Sequence, residues 1–147
     1  MHKKITLCFI ASILSMSVLG NPLPNIAVLE LGGNGIEQSD LAALTNRLRT
    51  DLFKTDSFTV LERGIMDEVL KEQGFQQTGC TEAACAVEVG KLLNVEYMVS
   101  GSVDRVGTAY SVNVRMVSVQ TGHIVKNATA DCGGCKLEDV FITLIRQ

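Results

Sequence analysis

Four of the five cysteines in this chain stand in two close pairs, and they are the residues with the widest range of chemistry here. Cys80 and Cys85 form the first pair, and Cys132 and Cys135 form the second. Two such pairs can form disulfides, hold a zinc ion through four thiolates, or exchange electrons through a C-x-x-C motif. Which of these uses applies depends on the compartment in which the protein folds.

Residues 1–20 have the pattern of a secretory signal peptide. Two lysines make the start basic, and the uncharged apolar run 5–20 is shorter than the about 20 residues of a membrane-spanning helix. We expect cleavage near Gly20 and a periplasmic protein of residues 21–147, folded as a single domain without a membrane span. The alternative is that the segment is kept as an uncleaved anchor. No cysteine stands at the cleavage site to accept a lipid, because Cys8 lies inside the apolar run.

Export favours disulfides over free thiols, so we interpret the four cysteines first as two disulfides, with three connectivities open. Thr81 is a candidate helix N-cap. This places Cys80 just before the helix and Cys85 at its fourth residue, the two positions that a hydrophobic staple joins. We therefore expect a local Cys80–Cys85 disulfide. Thiol redox chemistry or zinc binding, with Cys132 and Cys135 at its centre, remains the alternative.

The hydrophobic periodicity predicts one mixed α/β domain. The elements follow the order strand, helix, strand, helix, helix, three strands, helix, and the last strands alternate as an antiparallel hairpin does. We expect a single mixed sheet with an antiparallel C-terminal hairpin and helices packed mainly on one face. The predicted strands are 25–31, 57–63, 95–103, 109–119 and 124–131, and the predicted helices begin at Ser39 and cover 64–74, 82–93 and 136–147.

Several residues predict where the helices end and which way they face. Ser39 is a candidate N-cap, because its hydroxyl can accept a hydrogen bond from a first-turn amide. Gly74 and Asn94 are residue types that end helices in the left-handed conformation. By helical spacing, Ile65 and Leu92 lie on the buried faces of the second and third helices.

The remaining candidates for catalysis are weak. The glycine-rich stretch 31–35 follows a strand but lacks the lysine and hydroxyl of a phosphate loop, so it predicts a turn. After the leader the chain has one histidine, His123, beside a hairpin turn, and no serine nucleophile motif. Carboxylates such as Asp67 and Glu68 fall on the polar side of a helix. We predict no enzymatic activity, no cofactor and no resident metal ion.

The charge and polar patterning point to protein partners. With 16 acidic and 13 basic residues and no basic stripe, the chain is not suited to nucleic acid. In the strand 109–119, Ser111, Asn113 and Arg115 share one polar face, and the Arg115 guanidinium is a directional donor to a carboxylate. We expect this row, or an unpaired sheet edge, to bind another envelope protein or a second copy of this chain.

Two long stretches, IAVLELGGNGIEQSDLAALTNRLRTDLFKTDSFTVLERGIMDEVLKEQGFQQTGC and CAVEVGKLLNVEYMVSGSV, resemble a known periplasmic domain. It is shared by the CsgG curli secretion-channel family and the LpoB activator of penicillin-binding proteins, and the TolB amino-terminal domain has a similar fold. The resemblance implies a mixed α/β domain that works in envelope assembly or transport by binding partners, without catalysis.

This chain departs from that family in two ways. Family members are usually outer-membrane lipoproteins, whereas this chain has no cysteine at the expected cleavage site. The channel members also carry long amphipathic hairpins, for which 147 residues leave no room. The resemblance therefore implies a small, soluble relative of the domain and not a pore.

Overall fold

The structure, a computed structural model, describes residues 22–75 and 82–140. The predicted leader 1–20 lies outside these residues. No helix in the described part of the chain has the length and apolar character that crossing a membrane requires. The elements follow in the predicted order: β1 (Asn25–Val28), α1 (Gln38–Lys54), β2 (Thr59–Val60), α2 (Arg63–Glu72), α3 (Ala83–Leu93), β3 (Tyr97–Val106), β4 (Ala109–Ser118), β5 (Ile124–Gly133) and α4 (Leu137–Asp139).

The strands form one five-stranded mixed sheet in the order β2-β1-β3-β4-β5. β1 is parallel to both of its neighbours, with Ile26 opposite Val60 in β2 and opposite Tyr97 in β3. β3, β4 and β5 are antiparallel to one another. The predicted fold class, a single mixed sheet with an antiparallel C-terminal hairpin, is therefore confirmed.

The helices lie on both faces of this sheet, which differs from the expectation of one mainly covered face. Ala27 and Leu29 join the apolar cluster that contains Met66 of α2. Their neighbours Ile26 and Val28 point the opposite way and pack against α1. A strand covered on both faces has a continuous apolar sequence. The apolar sequence of β1 therefore indicates helices on both faces of the sheet.

The predicted C-terminal ends of α2 and α3 are observed, whereas the predicted start of α1 is not. α2 is followed by Gly74 at φ +66°, and α3 ends at Asn94 at φ 52°, both in the predicted left-handed conformation. α1, however, begins after Glu37, which makes no side-chain capping bond. Ser39 lies inside the helix, so its predicted role as N-cap is wrong.

The buried faces of α2 and α3 are narrower than predicted. Ile65 is 50% exposed and Leu92 is 38% exposed, so neither lies in the core. In α3 the buried face is centred on Gly90, where an added Cβ would collide with the side chains of Met98 and Val119. This close approach of the helix to the sheet turns Leu92 away from the core.

The C-terminal segment packs on the α1 side of the sheet. Val140 is fully buried in a cluster with Tyr110 and Val112 of β4. Leu137 is partly buried against the same cluster. The rest of the predicted last helix, 141–147, lies outside the described residues.

Candidate binding surface

The face that α2 and α3 pack on is only partly covered by them. Their cluster reaches Met98 at the start of β3 and Val119 just after β4. Further along β3 and β4 the same face forms an open groove of about 600 Å³ whose lining comes from two strands and the loop after β1. We call this groove, with the adjoining side chains of β5, the open polar face. Its polar lining residues are Asn34, Ser102, Asp104, Ser111, Asn113 and Arg115.

Strand register places the predicted row at the centre of this surface. Asn113, the exposed middle residue of the row, lies opposite Ser102 in β3 and opposite Thr129 in β5. Because residues directly opposite in a sheet share a face, three polar rows stand side by side. The row in β3 is Ser100, Ser102 and Asp104, that in β4 is Arg115, Asn113 and Ser111, and that in β5 is Asn127, Thr129 and Asp131.

Hydrogen bonds hold both acidic side chains of the face in place. One oxygen of Asp104 accepts from the backbone N–H and the side-chain amide of Asn34, each at 3.1 Å. The other oxygen accepts from the Ser102 hydroxyl at 2.9 Å. On the far side, the Ser111 hydroxyl donates to Asp131 at 2.6 Å. The carboxylates are oriented acceptors whose remaining lone pairs are available to a partner.

The loop after β1 closes one end of the groove. Gly32 pairs with Ser102 as an isolated parallel bridge. A Cβ at Gly33 would collide with the carbonyl oxygen of Val103, so the loop can lie this close to β3 only with glycine there. The connection from β1 to β2 runs through α1 on one face of the sheet, and the connection from β2 to β3 runs through α2 and α3 on the other.

Arg115 is less exposed than the sequence suggests. It is half-buried, and it stands opposite Ser100, which is fully buried. A substitution at Arg115 would therefore disturb packing as well as charge. Asn113 is the exposed member of the row, so it is the better position at which to test binding.

A second guanidinium, that of Arg49 in α1, has a structural role. Its Nη2 donates to the carbonyl oxygen of Val28 at 2.7 Å, and its Nη1 donates to the Asn46 side chain at 2.9 Å. Burial, followed by the nearby Arg63 charge, lowers the pKa of Arg49 from its usual value. The group still stays protonated at physiological pH, because guanidinium pKa values are so high. The Arg49 guanidinium therefore supplies the hydrogen-bond donor for the Val28 carbonyl at the end of β1.

Cys85 lies apart from Cys132 and Cys135 in the structure. Cys132 and Cys135 are joined in a disulfide where β5 leads into α4. Cys85 is also disulfide-bonded, but Cys80 lies outside the described residues, so the Cys80–Cys85 pairing stays a prediction. α3 begins after Glu82, which makes Cys85 its third residue rather than its fourth.

The two cysteine regions do not converge on one metal site. Cys85 packs against the cluster beneath α2 and α3, whereas Cys135 packs against the cluster on the opposite face of the sheet. Within residues 22–75 and 82–140, no group of three His, Cys, Asp or Glu side chains could hold a metal ion. His123 is exposed in the turn between β4 and β5.

A smaller and more apolar pocket lies at the other end of the sheet. It has a volume of about 330 Å³ and is formed where β2 meets the start of α2 and the end of α3. Leu61, Ile65 and Leu93 contribute its apolar lining. The half-exposed Ile65 is therefore a pocket residue, which its helical spacing alone could not reveal.

Comparison with known proteins gives one family and several related folds. The family model described as curli production assembly/transport component CsgG matches residues 38–111, half of the chain. A search of curated proteins finds no match. Among solved structures, the LpoB C-terminal domain from Salmonella enterica is 16% identical, with a TM-score of 0.63 over 75% of this chain and 82% of that one.

Two further structures share the fold at similar distance. Lipoprotein GNA1162 from Neisseria meningitidis is 14% identical, with a TM-score of 0.63 over 75% of this chain and 80% of that one. PelC from Paraburkholderia phytofirmans, solved as a dodecamer, is 16% identical, with a TM-score of 0.54 over 84% of this chain and 82% of that one. At these identities the likenesses show the fold.

Proposed function

Because the chain belongs to the CsgG family, we propose that it is a non-enzymatic accessory protein of the cell envelope. In this proposal residues 1–20 direct export and are removed, and the domain 21–147 works in the periplasm by binding another envelope protein or a second copy of itself. Disulfide-bonded cysteines suit such an oxidising compartment. The family match supports a part in envelope assembly or transport.

The observation that carries this proposal is the open polar face. β1 is covered by helices on both sides, yet across β3–β5 one side holds three polar rows that line a groove. Asp104 and Asp131 are fixed by bonds from their own neighbours and present acceptors outward. Such oriented groups give a protein interface its specificity and register.

The arrangement fits binding better than catalysis. The serine nucleophile of most serine hydrolases is activated by a histidine base within hydrogen-bond reach. On the open polar face Ser111 and Ser102 instead donate to carboxylates, and the exposed His123 lies in the turn at the other end of β4. The face offers hydrogen bonds and charge to a partner surface.

Capture from envelope extracts tests the proposal. Asn113→Arg places a long cation in the middle of the groove, so we expect it to weaken capture of the wild-type partner about tenfold or more. Gln120→Arg is the matched control, because it adds the same charge at an exposed position in the β4–β5 turn. Bound proteins are quantified by mass spectrometry.

Both variants should melt within a few degrees of the wild type, since exposed substitutions typically change stability by less than about 0.5 kcal/mol. Equal capture by wild type, Asn113→Arg and Gln120→Arg would show that the open polar face is not the interface.

A further inference from the structure

The outer edge of β5 is unusually available for pairing. At the opposite edge of the sheet, β2 has only two residues. β5 has ten, most of them exposed, with no proline among them, and its pairing with β4 is continuous from Lys126 to Gly133. No other described strand pairs with it. Proteins usually protect such an edge with short strands, prolines or bulges, because its free amides and carbonyls recruit another strand.

The hydrogen-bond pattern of the hairpin shows which groups face outward. Gly134 N–H donates to the carbonyl oxygen of Thr108 at 3.0 Å, so these two residues form a hydrogen-bonded pair. Such pairs recur at every second residue of an antiparallel ladder. From Lys126 to Cys132, the backbone groups of the even-numbered residues therefore point to β4. Those of Asn127, Thr129 and Asp131 point away from the sheet.

We propose that β5 pairs antiparallel with β5 of a second copy of this chain, with Thr129 opposite Thr129 of the second copy. This inference deepens the proposed function by naming one partner and the edge that it uses. In this register Asn127 stands opposite Asp131 of the second copy, and the same pair occurs again across the two-fold axis. Each Asn amide donates to a carboxylate, and threonine opposite threonine is also a favourable cross-strand pair.

The other side of the strand fits the same register. Ala128 stands opposite Ala130 of the second copy, so small side chains meet there. Other registers are poorer: one places Asp131 opposite Asp131 of the second copy, and another places it opposite Val125, which has no donor. Like charges directly opposite each other are unfavourable, and the pairing centred on Thr129 is the one that sets both Asp131 carboxylates opposite an amide donor.

This pairing would join the two open polar faces into one surface. A two-fold axis perpendicular to the sheet keeps the same face of both copies on the same side. The two sheets then form one continuous sheet with the grooves side by side. A partner of the open polar face would contact both copies at once.

Cross-linking of the full-length exported protein tests the register. Opposite residues in a hydrogen-bonded antiparallel pair lie about 5.5 Å apart at Cα, which is within disulfide range. Thr129→Cys should therefore give a disulfide-linked dimer under mild oxidation. Asn113→Cys, on the same face but one strand further from the axis, is too far from its counterpart and should stay monomeric on a non-reducing gel.

Exchanging the residues at positions 127 and 131 tests the same contact in solution. By analytical ultracentrifugation, Asn127→Asp should weaken dimerisation at least tenfold, because it sets carboxylates against each other twice. Adding Asp131→Asn restores an amide opposite a carboxylate and should return the dimer constant to within about threefold of wild type. Asparagine at 131 retains an acceptor for the Ser111 hydroxyl, so the hairpin is preserved.

A wild-type protein that is monomeric up to about 100 μM would overturn the proposed pairing. So would equal cross-linking at positions 113 and 129, or an Asn127→Asp variant that dimerises as well as the wild type. In each case, loss of envelope capture in Asn113→Arg would leave the proposed function standing. If Asn113→Arg captures its partner as well as the wild type does while the dimer is intact, the proposed function is contradicted and the β5 pairing stands.

Discussion

The two halves of the sheet differ in how they are covered. In the parallel half, which is β2, β1 and the start of β3, helices pack on both faces, and Ile26, Ala27 and Val28 are fully buried. In the antiparallel half, β4–β5, one face meets the α1-side cluster through Tyr110 and Val112, and the other carries polar rows. The difference matches the division that we propose, in which the parallel half supplies stability and the antiparallel half supplies a binding surface.

This division follows from what each half buries. Apolar area removed from water contributes about 25 cal/mol per Å², so a strand covered twice contributes far more than a strand with an exposed outer edge. The exposed half gains less from burial but leaves backbone and side-chain groups available to a partner. Substitutions should therefore affect the two halves differently.

The largest effect is expected in the covered half at Leu70. This side chain is 1% exposed between α2 and the sheet. Leu70→Ala should lower the free energy of unfolding by about 2–5 kcal/mol, since it removes buried methyl groups and leaves a cavity. Urea unfolding followed by circular dichroism measures this change.

Ile124→Ala is the matched truncation in the open half. Ile124 is 51% exposed at the start of β5, so the loss there should stay below about 1 kcal/mol. Equal losses at the two positions would mean that the halves do not differ in stability as the burial pattern indicates.

A smaller effect is expected at Thr45, which joins α1 to the loop after β1. Its hydroxyl is fully buried, accepts from Leu31 N–H at 3.0 Å and donates to the Leu41 carbonyl at 2.7 Å. Thr45→Val keeps the shape but leaves the Leu31 amide without its partner. We expect a loss of about 1–3 kcal/mol in the free energy of unfolding.

Thr50→Val is the control for this change, because Thr50 makes the same helical bond, to the Asn46 carbonyl at 2.9 Å, but at an exposed position. It should alter the free energy of unfolding by less than about 0.5 kcal/mol. If the two valine variants unfold alike, the buried hydroxyl does not hold the covered half together.

The structural features that depend on local residue pattern could be predicted from the sequence. The order of elements, the left-handed ends at Gly74 and Asn94, and the alternation that sets Asn113 on a polar face all follow from residue type and period. It also contained a signal that was missed: Ser102 and Asp104 occupy alternate positions of β3, as a second polar row requires.

What the sequence did not predict depends on how distant segments meet. The side of the sheet on which α1 packs is decided by the crossover from β1 to β2, and the alternation of β4 carries no information about it. The half-buried position of Arg115 depends on its neighbours across two strand pairings. The exposure of Leu92 follows from the close contact of Gly90 with the sheet.

Photo-cross-linking in intact cells tests most directly whether the open half is the binding half. A photoreactive amino acid is placed at Asn113 on the open polar face or at Leu92 on the outer side of α3, both of which are exposed. We expect adducts with an envelope protein from position 113 and none from position 92. Adducts from position 92 alone would contradict it and move the interface to the helices.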